Sequence, residues 1–216
     1  MSINKKNRIS IPHVSKDLTV KELLISAQDD VGTVEIDKYW NGVSAPGNRT
    51  FSATMFWSDS YFYVLFEAKQ SEPLIVNKSP HLDTKTMGLW DRDVCEIFIA
   101  PDINEPGKYF EFEVAPTGEW IDVALDATAG ERKSDWEYRS GMESAAKIDQ
   151  GLIVMAIRIP WTAFGKTPKI GDIWLGNLFR CIGKDPDRGY LAWSSTMTKS
   201  PNFHVPERFG EFEFVK

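Results

Sequence analysis

The chain has 216 residues, of which 42% are hydrophobic, and a net charge of −6. This length and composition suit a folded domain with a large buried core, and they exclude a disordered chain. The negative charge argues against nucleic acid as a partner, because phosphate binding requires a basic face. No stretch is long and apolar enough to span a membrane, and the first twenty residues lack an apolar run of signal-peptide length. A soluble protein is expected, with its compartment left open.

The N-terminal part alternates short apolar runs with turns. Thr19, followed by Glu22 three residues later, predicts the capped start of a brief helix. Residues 70–87, of mixed polarity and with two prolines, predict a long loop that leads to Trp90. The period-two pattern and the turn residues around it predict strands at residues 8–12, 32–37, 50–57 and 61–68.

Residues 89–126 contain three runs rich in aromatic and β-branched residues, separated by turns that contain proline and glycine. This pattern predicts three consecutive antiparallel strands. Trp90 stands at the entrance to the first strand. Acids on a rigid sheet beside an exposed aromatic ring suit a sugar-binding face. The acids that interrupt these runs are Glu96, Glu111, Glu113 and Asp122.

The C-terminal part continues the same pattern. Residues 128–140, which are charged and contain Trp136 and Tyr138, predict an excursion across the edge of a sheet. Proline at the start and glycine at the end of residues 160–165 predict one helical turn. Further strands are predicted at residues 143–149, 152–159, 174–182, 190–194 and 209–215.

These elements predict an all-β fold, a single antiparallel β-sandwich of immunoglobulin-like or jelly-roll-like form with one or two short helical turns. One domain is expected over residues 1–216, with residues 1–7 loose. Trp161 and Trp174 follow patterns that point inward, so we expect them in the core.

The acids of the central strands allow more than one interpretation. An acid in an apolar run is costly unless it is paired or hydrogen-bonded. Glu96 therefore either pairs with Arg92 or Arg180, or faces a ligand groove. Glu111 and Glu113 share one strand face and are either exposed to solvent or, if their face continues that of Glu96, part of an acidic patch suited to hydroxyls or calcium.

The tryptophans and the polar residues of strand 174–182 also allow more than one interpretation. Trp90 is either half exposed and in contact with a ligand, or buried as packing beneath a loop. Trp193 either contacts a ligand or packs in the core. Asn177 and Arg180 are three residues apart, so they face opposite sides of a strand and only one can join a site without a bulge.

Five motifs follow one another in a distinctive order: Leu-Trp-Asp-Arg-Asp-Val-Cys-Glu at 89–96, Tyr-Phe-Glu-Phe-Glu-Val at 109–114, Ile-Pro-Trp at 159–161, Gly-Asp-Ile-Trp-Leu-Gly-Asn at 171–177 and Pro-Glu-Arg-Phe-Gly at 206–210. With this order and spacing, the chain resembles carbohydrate-binding module family 9 over about residues 30–216.

The resemblance implies a secreted or periplasmic β-sandwich that binds sugars without cutting them and accompanies polysaccharide-degrading enzymes. It also implies that two tryptophans clamp a terminal sugar, that acidic and amide side chains take its hydroxyls, and that structural calcium can be bound. Trp90 and Glu96 match one half of the clamp, and Trp193 matches the second tryptophan. The expected ligand-binding residues are Trp90, Arg92, Glu96, Glu111, Glu113, Asn177, Arg180 and Trp193.

The expected partner is an oligosaccharide or polysaccharide, with an associated glycoside hydrolase, and no cofactor is required. One alternative is a glycoside hydrolase that uses carboxylates of the same face. Another is a structural or interaction sandwich whose site is filled by its own loop, such as residues 70–87. Calcium could also bind loop acids, but no consecutive acidic loop compels it. The loop acids in question are Asp83, Asp126 and Asp185.

The cysteines and histidines add little. Cys95 and Cys181 each lie in an apolar run and are predicted to be buried free thiols, although a disulfide stays open. The three histidines have no metal-ligand spacing. His204 either reaches the site or bonds to the backbone of its own loop.

Overall fold

The computed structural model describes residues 6–25 and 32–216. Residues 1–5 of the predicted loose terminus lie outside these ranges. The strands are β1 (Arg8–Ile11), β2 (Thr33–Ile36), β3 (Phe51–Trp57), β4 (Tyr61–Lys69), β5 (Val94–Ala100), β6 (Lys108–Val114), β7 (Trp120–Asp126), β8 (Lys133–Asp135), β9 (Glu143–Asp149), β10 (Leu152–Pro160), β11 (Ile173–Ile182), β12 (Gly189–Ala192) and β13 (Gly210–Phe214).

Helical structure in the described residues is confined to short turns. Helix α1 (Val20–Leu23) begins with the predicted capping box, in which Thr19 and Glu22 satisfy each other's backbone N–H groups. Three 3-10 turns span Leu89–Asp91, Trp161–Phe164 and Pro206–Arg208. No helix in this part of the chain has the length and apolar character needed to cross a membrane.

The strands form two sheets. The larger sheet has the order β1-β13-β11-β5-β6-β7-β8, with β12 also paired to β11, and the smaller has the order β2-β3-β4-β10-β9. All of these pairings are antiparallel except that of β1 with β13, which is parallel. The predicted all-β sandwich is confirmed.

The core lies between the two sheets. Cys95, Ile97 and Ile99 of β5 point into it, because alternate residues of a strand face opposite sides. Trp161 and Trp174 are buried there, as predicted. Cys95 and Cys181 are free and buried. They lie on opposite faces of the sheet, since Cys181 belongs to a separate apolar cluster from Cys95.

The outer face of the larger sheet carries this second apolar cluster, which includes Val94, Phe98, Phe179 and Phe203. A sheet face turned away from the core would normally be polar and open to solvent. Here loops cover it, and Phe203 from the C-terminal loop stacks on Phe179 of β11 at a centroid distance of 4.1 Å. The covered face is where the acids of β5 and β6 lie.

Candidate functional site

A cavity of about 360 Å³ opens over the outer face of β5, β6 and β11. Its floor comes from these strands. Its walls come from the 3-10 turn before β5, the segment around β8 and the loop that precedes β13. The lining residues are Trp90, Asp91, Glu96, Glu111, Leu125, Arg132, Ser134, Trp136, Cys181, Arg188, Tyr190, Pro201, Asn202, Phe203 and His204.

Three carboxylates meet at the bottom of this cavity. Glu96 on β5 pairs directly with Glu113 on β6, and Glu111 lies two residues along β6 on the same face. One oxygen of each lies within 4.8 Å of the others. The side chains are buried, with residue exposures of 2% for Glu96, 6% for Glu111 and 0% for Glu113. We call Glu96, Glu111 and Glu113 the acidic floor.

The acidic floor contains two acids, Glu111 and Glu113, for which the sequence allowed either exposure to solvent or a place in a ligand site. Glu111 and Glu113 are not solvent-facing, because their face continues that of Glu96. Glu96 pairs with neither Arg92 nor Arg180; its hydrogen-bond donor is the thiol of Cys181 at 3.5 Å. Among the described residues, the hydrogen-bond neighbour of the Glu113 carboxyl is the carboxyl of Glu111, which it can bond when one of the two is protonated.

Burial raises the pKa of all three carboxyl groups above the ordinary value for glutamate, because the charged form loses its hydration. Repulsion between the carboxylates raises the pKa of Glu96 and Glu113 further. The positive charges of Arg188 and Arg132 act in the opposite direction, on the pKa of Glu96 and of Glu111 respectively. The cluster therefore retains protons to a higher pH than exposed glutamates do.

A pH-dependent stability follows from these raised pKa values. The folded protein retains protons that the unfolded chain releases above about pH 4.3, so stability should fall as pH rises through the raised values. Glu113→Gln removes one such group and leaves an amide that can donate to its neighbours. At pH 8, we expect this variant to be about 1–3 kcal/mol more stable than wild type, measured by urea unfolding.

The same comparison has a built-in control at low pH. Near pH 4 the Glu113 carboxyl is protonated and resembles the amide, so the two proteins should converge. A difference between wild type and variant that stays constant from pH 4 to pH 8 would contradict a raised pKa for Glu113.

Two tryptophans form an aromatic wall beside the acidic floor. The rings of Trp90 and Trp136 lie 5.8 Å apart between centroids and are tilted by 36°. Trp136 remains 39% exposed, and Trp90 is partly buried against the outer apolar cluster. We call Trp90 and Trp136 the aromatic wall. It presents a continuous apolar surface at the cavity, directly beside charged groups.

Arg188 holds the Trp90 turn in place. Its guanidinium donates to the backbone carbonyls of Trp90 at 2.6 Å, Asp91 at 2.9 Å and Arg92 at 3.1 Å. A fourth bond, of 2.9 Å, goes to the carbonyl of Gly183. The C-terminal ends of a 3-10 turn leave carbonyls without partners, and one arginine satisfies them here. This anchoring ties the turn to the segment between β11 and β12.

Lys85 has a corresponding role for Trp136. Its ammonium forms an ion pair with Asp122 Oδ1 at 2.5 Å and donates to the carbonyls of Trp136 and Tyr138 at 3.3 and 2.7 Å. The other carboxylate oxygen of Asp122 accepts from both the amide and the hydroxyl of Ser140, each at 2.7 Å. Lys85, on the long loop 70–87, thus fixes the backbone at Trp136.

His204 lies at the cavity and bonds to a side chain rather than to the backbone. Its Nδ1 is 2.9 Å from the hydroxyl of Tyr109. Burial lowers the pKa of His204 to about 3, so the imidazole is neutral at neutral pH. It offers a neutral polar group at the cavity lining.

The sequence matches the family described as carbohydrate family 9 binding domain-like over residues 25–216. The chain belongs to this family. No curated protein matches the chain.

Solved structures share the family-9 fold. A putative carbohydrate-binding protein from Bacteroides uniformis ATCC 8492 has a TM-score of 0.74 at 16% identity, covering 97% of this chain and 100% of that one. A family 9 carbohydrate-binding module from Caldicellulosiruptor kristjanssonii in complex with cellotriose has a TM-score of 0.66 at 16% identity, covering 97% and 94% of the two chains. A family 9 carbohydrate-binding module from Caldicellulosiruptor kristjanssonii in complex with glucose has a TM-score of 0.62 at 16% identity, covering 96% and 95%.

The tryptophan pair expected from the family-9 resemblance is not the one that forms. Trp193 packs on Phe212 at a centroid distance of 5.7 Å, against the sandwich core, and does not line the cavity. Its backbone carbonyl accepts from Asn7, which ties β12 to the N-terminal strand region. Trp136 from the β7–β8 region, instead of Trp193, lies beside Trp90.

Three further residues of the expected family-9 site have structural contacts elsewhere. Asn177 bonds to the backbone N–H and carbonyl of Ser194 at 2.9 and 2.8 Å and braces β11. Arg180 points to the other side of β11 and donates to backbone carbonyls at the ends of β3 and β4. Arg92 lies near Glu119, at 3.8 Å, and does not line the cavity.

Sequence reasoning missed several residues of the cavity. Trp136 stood out only as an aromatic residue in a charged edge segment, which is a usable signal for exposure but not for location. Arg188 lay between the strands predicted at residues 174–182 and 190–194, where an arginine carries no particular signal. The other cavity residues that were not predicted are Asp91, Leu125, Arg132, Ser134, Cys181, Tyr190, Pro201, Asn202 and Phe203.

Proposed function

We propose that this protein binds carbohydrate in the cavity between the aromatic wall and the acidic floor, and that it does not cleave its ligand. The observation that carries the proposal is that one cavity, on the larger sheet of a family-9 domain, is lined both by apolar aromatic rings and by carboxyl groups. The neighbouring structures in complex with glucose and cellotriose are consistent with a saccharide ligand.

The two surfaces of the cavity correspond to the two surfaces of a pyranose. The sugar ring has apolar C–H faces, which pack on aromatic rings, and a rim of hydroxyls, which require fixed donors and acceptors. Aromatic contacts contribute about 0.5–1.5 kcal/mol beyond the area they bury. One such wall with several polar contacts corresponds to a Kd from millimolar to micromolar, or about −4 to −8 kcal/mol.

The arrangement of the carboxylates favours binding over hydrolysis. A glycosidase needs two carboxyl groups that flank the scissile bond, about 5–5.5 Å apart in retaining enzymes or 6.5–9.5 Å apart in inverting ones. The acidic floor instead gathers three carboxylates on one sheet face, so all three approach a ligand from the same side. The alternative of a site filled by loop 70–87 is also disfavoured, because none of the cavity-lining residues belongs to that loop.

Titration with glucose, cello-oligosaccharides and xylo-oligosaccharides tests the proposal through tryptophan fluorescence and calorimetry. We expect saturable quenching or enhancement with a Kd in the range given above and no release of reducing ends. No response to the whole panel would contradict carbohydrate binding. Reducing-end release that disappears in Glu96→Gln would contradict the non-catalytic assignment.

We also propose that binding serves polysaccharide breakdown alongside a glycoside hydrolase. The support for this role is the family-9 resemblance. It predicts that the protein increases the initial rate of a partner hydrolase on an insoluble polysaccharide, with no gain on a soluble oligosaccharide.

A further inference from the structure

We propose that His204 determines which sugars the cavity accepts. Tyr109 holds the His204 imidazole in the tautomer that carries its proton on Nε2, and this N–H donates to a hydroxyl oxygen of the bound sugar. The contact with sugar rests on the proposed carbohydrate binding, whereas the tautomer concerns residues of this chain alone. His204 lies on the loop that precedes β13 and lines the cavity.

The His204 ring lies beside the acidic floor. It packs on the ring of Phe98 at a centroid distance of 5.1 Å, and Phe98 is the cross-strand partner of Glu111. Tyr109, which bonds to His204, lies on the same face of β6 as Glu111, two residues away. His204 and Glu111 both line the cavity. A ligand in the cavity can therefore contact an imidazole and a carboxyl group together.

The bond between Tyr109 and His204 determines which ring nitrogen carries the proton. Tyr109 is buried, and its hydroxyl oxygen lies 2.9 Å from Nδ1 of His204. Among the described residues, this nitrogen is the acceptor within hydrogen-bond distance of the hydroxyl, and the nearby Arg132 can only donate. A proton on Nδ1 would leave the buried O–H without an acceptor, which is costly. The hydroxyl therefore donates to Nδ1, and the imidazole proton lies on Nε2.

The second ring nitrogen is free to meet a ligand. Burial and the positive charge of Arg132 lower the pKa of His204 to about 3, so the ring carries a single N–H at neutral pH. Nε2 has no hydrogen-bond partner among the described residues, and it is not closed off from solvent. The structure thus presents one neutral N–H donor of fixed position at the cavity lining.

A fixed donor beside a carboxyl group is suited to a hydroxyl. A sugar hydroxyl can accept from the Nε2–H of His204 and at the same time donate to a carboxyl oxygen of Glu111. A C–H at the same ring position can do neither, and an ammonium group has no lone pair to accept with. The pair therefore favours sugars that have a hydroxyl at one particular ring position.

The first experiment determines the tautomer by nitrogen NMR at pH 7, on protein labelled with 15N in its histidine side chains. The protonated and unprotonated nitrogens of a neutral imidazole differ strongly in chemical shift. Of the three histidines, we expect His204 to show a proton on Nε2 and none on Nδ1, and the exposed His81 to show averaged tautomers. A proton on Nδ1, or an imidazolium, at His204 would overturn the fixed donor.

The same spectra test the contact with sugar without any variant. The wild type is titrated with whichever of glucose, cellobiose and xylobiose binds most tightly. We expect the Nε2 and N–H signals of His204 to shift at saturation, while those of His81 stay in place. Unchanged His204 signals in the presence of saturating sugar would overturn the contact.

The second experiment compares affinities in the double variant Tyr109→Phe/His204→Phe. This change removes both hydrogen-bond partners but keeps both rings, so it should fold, and circular dichroism checks this. Calorimetry should give a Kd for sugar about threefold to tenfold weaker than that of wild type. Tyr109→Phe alone, which keeps the imidazole, should lose less affinity. His81→Phe, outside the cavity lining, should keep the wild-type Kd.

Monodeoxy derivatives of the same sugar separate hydrogen bonding from ring packing. Removal of one particular hydroxyl should weaken binding to wild type by the same threefold to tenfold and should not weaken binding to the double variant further. Equal losses in both proteins for every derivative, or a double variant with the wild-type Kd, would overturn the role of His204. If no sugar binds to wild type, the proposed function fails together with the contact, while the nitrogen shifts still decide the tautomer.

Discussion

Trp136→Ala should weaken sugar binding about tenfold or more. The ring is 39% exposed and lies against Trp90, so it contributes apolar surface at the cavity without supporting the core. Loss of one aromatic contact and its buried area corresponds to about 1.4 kcal/mol or more of binding free energy, which is a factor of ten in Kd. Calorimetric titration with the best-binding oligosaccharide measures the change. The free energy of unfolding should change little.

Trp193→Phe is the matched control. Its ring packs on Phe212 at the sandwich core, outside the cavity, so the variant should keep the wild-type Kd, with any effect appearing in stability. The reverse result, with affinity lost in Trp193→Phe and kept in Trp136→Ala, would restore the clamp expected from the sequence and exclude the aromatic wall. Trp90→Ala should weaken binding in either case and therefore does not distinguish them.

Arg180→Met should reduce the free energy of unfolding by about 3–5 kcal/mol. The Arg180 guanidinium donates to the carbonyls of Arg49, Thr50 and Lys69 at 2.9, 3.2 and 3.2 Å and to Oε1 of Gln70 at 2.8 Å. Methionine fills a similar volume but leaves these partly buried acceptors without their donor. Urea unfolding measures the shift of the midpoint, with the slope expected to stay constant.

Sugar affinity separates the structural role of Arg180 from the ligand-binding role expected from the sequence. Under conditions where Arg180→Met is folded, its Kd for sugar should equal that of wild type, because Arg180 faces away from the cavity. A large loss of affinity with little loss of stability would contradict the structure. Arg8→Met, which removes an exposed ion pair with Glu211, should leave the urea midpoint nearly unchanged.

Most of the strands could be predicted from local sequence. The hairpin β3–β4 and the run β5–β6–β7 have alternating apolar residues bounded by turn residues, and such patterns act over a few neighbouring residues. Strand β8, only three residues long and highly charged, was missed because its pairing with β7 comes from the tertiary fold. The parallel pairing of β1 with β13 was missed for the same reason, since it joins the two ends of the chain.

The candidate site was only partly predictable. Glu96, Glu111 and Glu113 were identifiable because an acid within an apolar strand requires a compensating partner or ligand. Their meeting depends on the register in which Glu96 lies opposite Glu113. A shift of one residue would move one set to the other face. Register depends on the packing of whole strands, so the sequence left it open.

The sequence by itself determined the all-β character, the family and the residues that begin the site, because periodicity and motif order are local properties. Only the tertiary structure decided that Trp136, and not Trp193, lies beside Trp90. That choice depends on which loop crosses the outer face of the sheet, and it is made by buried contacts such as those of Lys85 and Arg188, which join residues far apart in the chain. The same long-range packing converts three separate glutamates into one buried acidic floor.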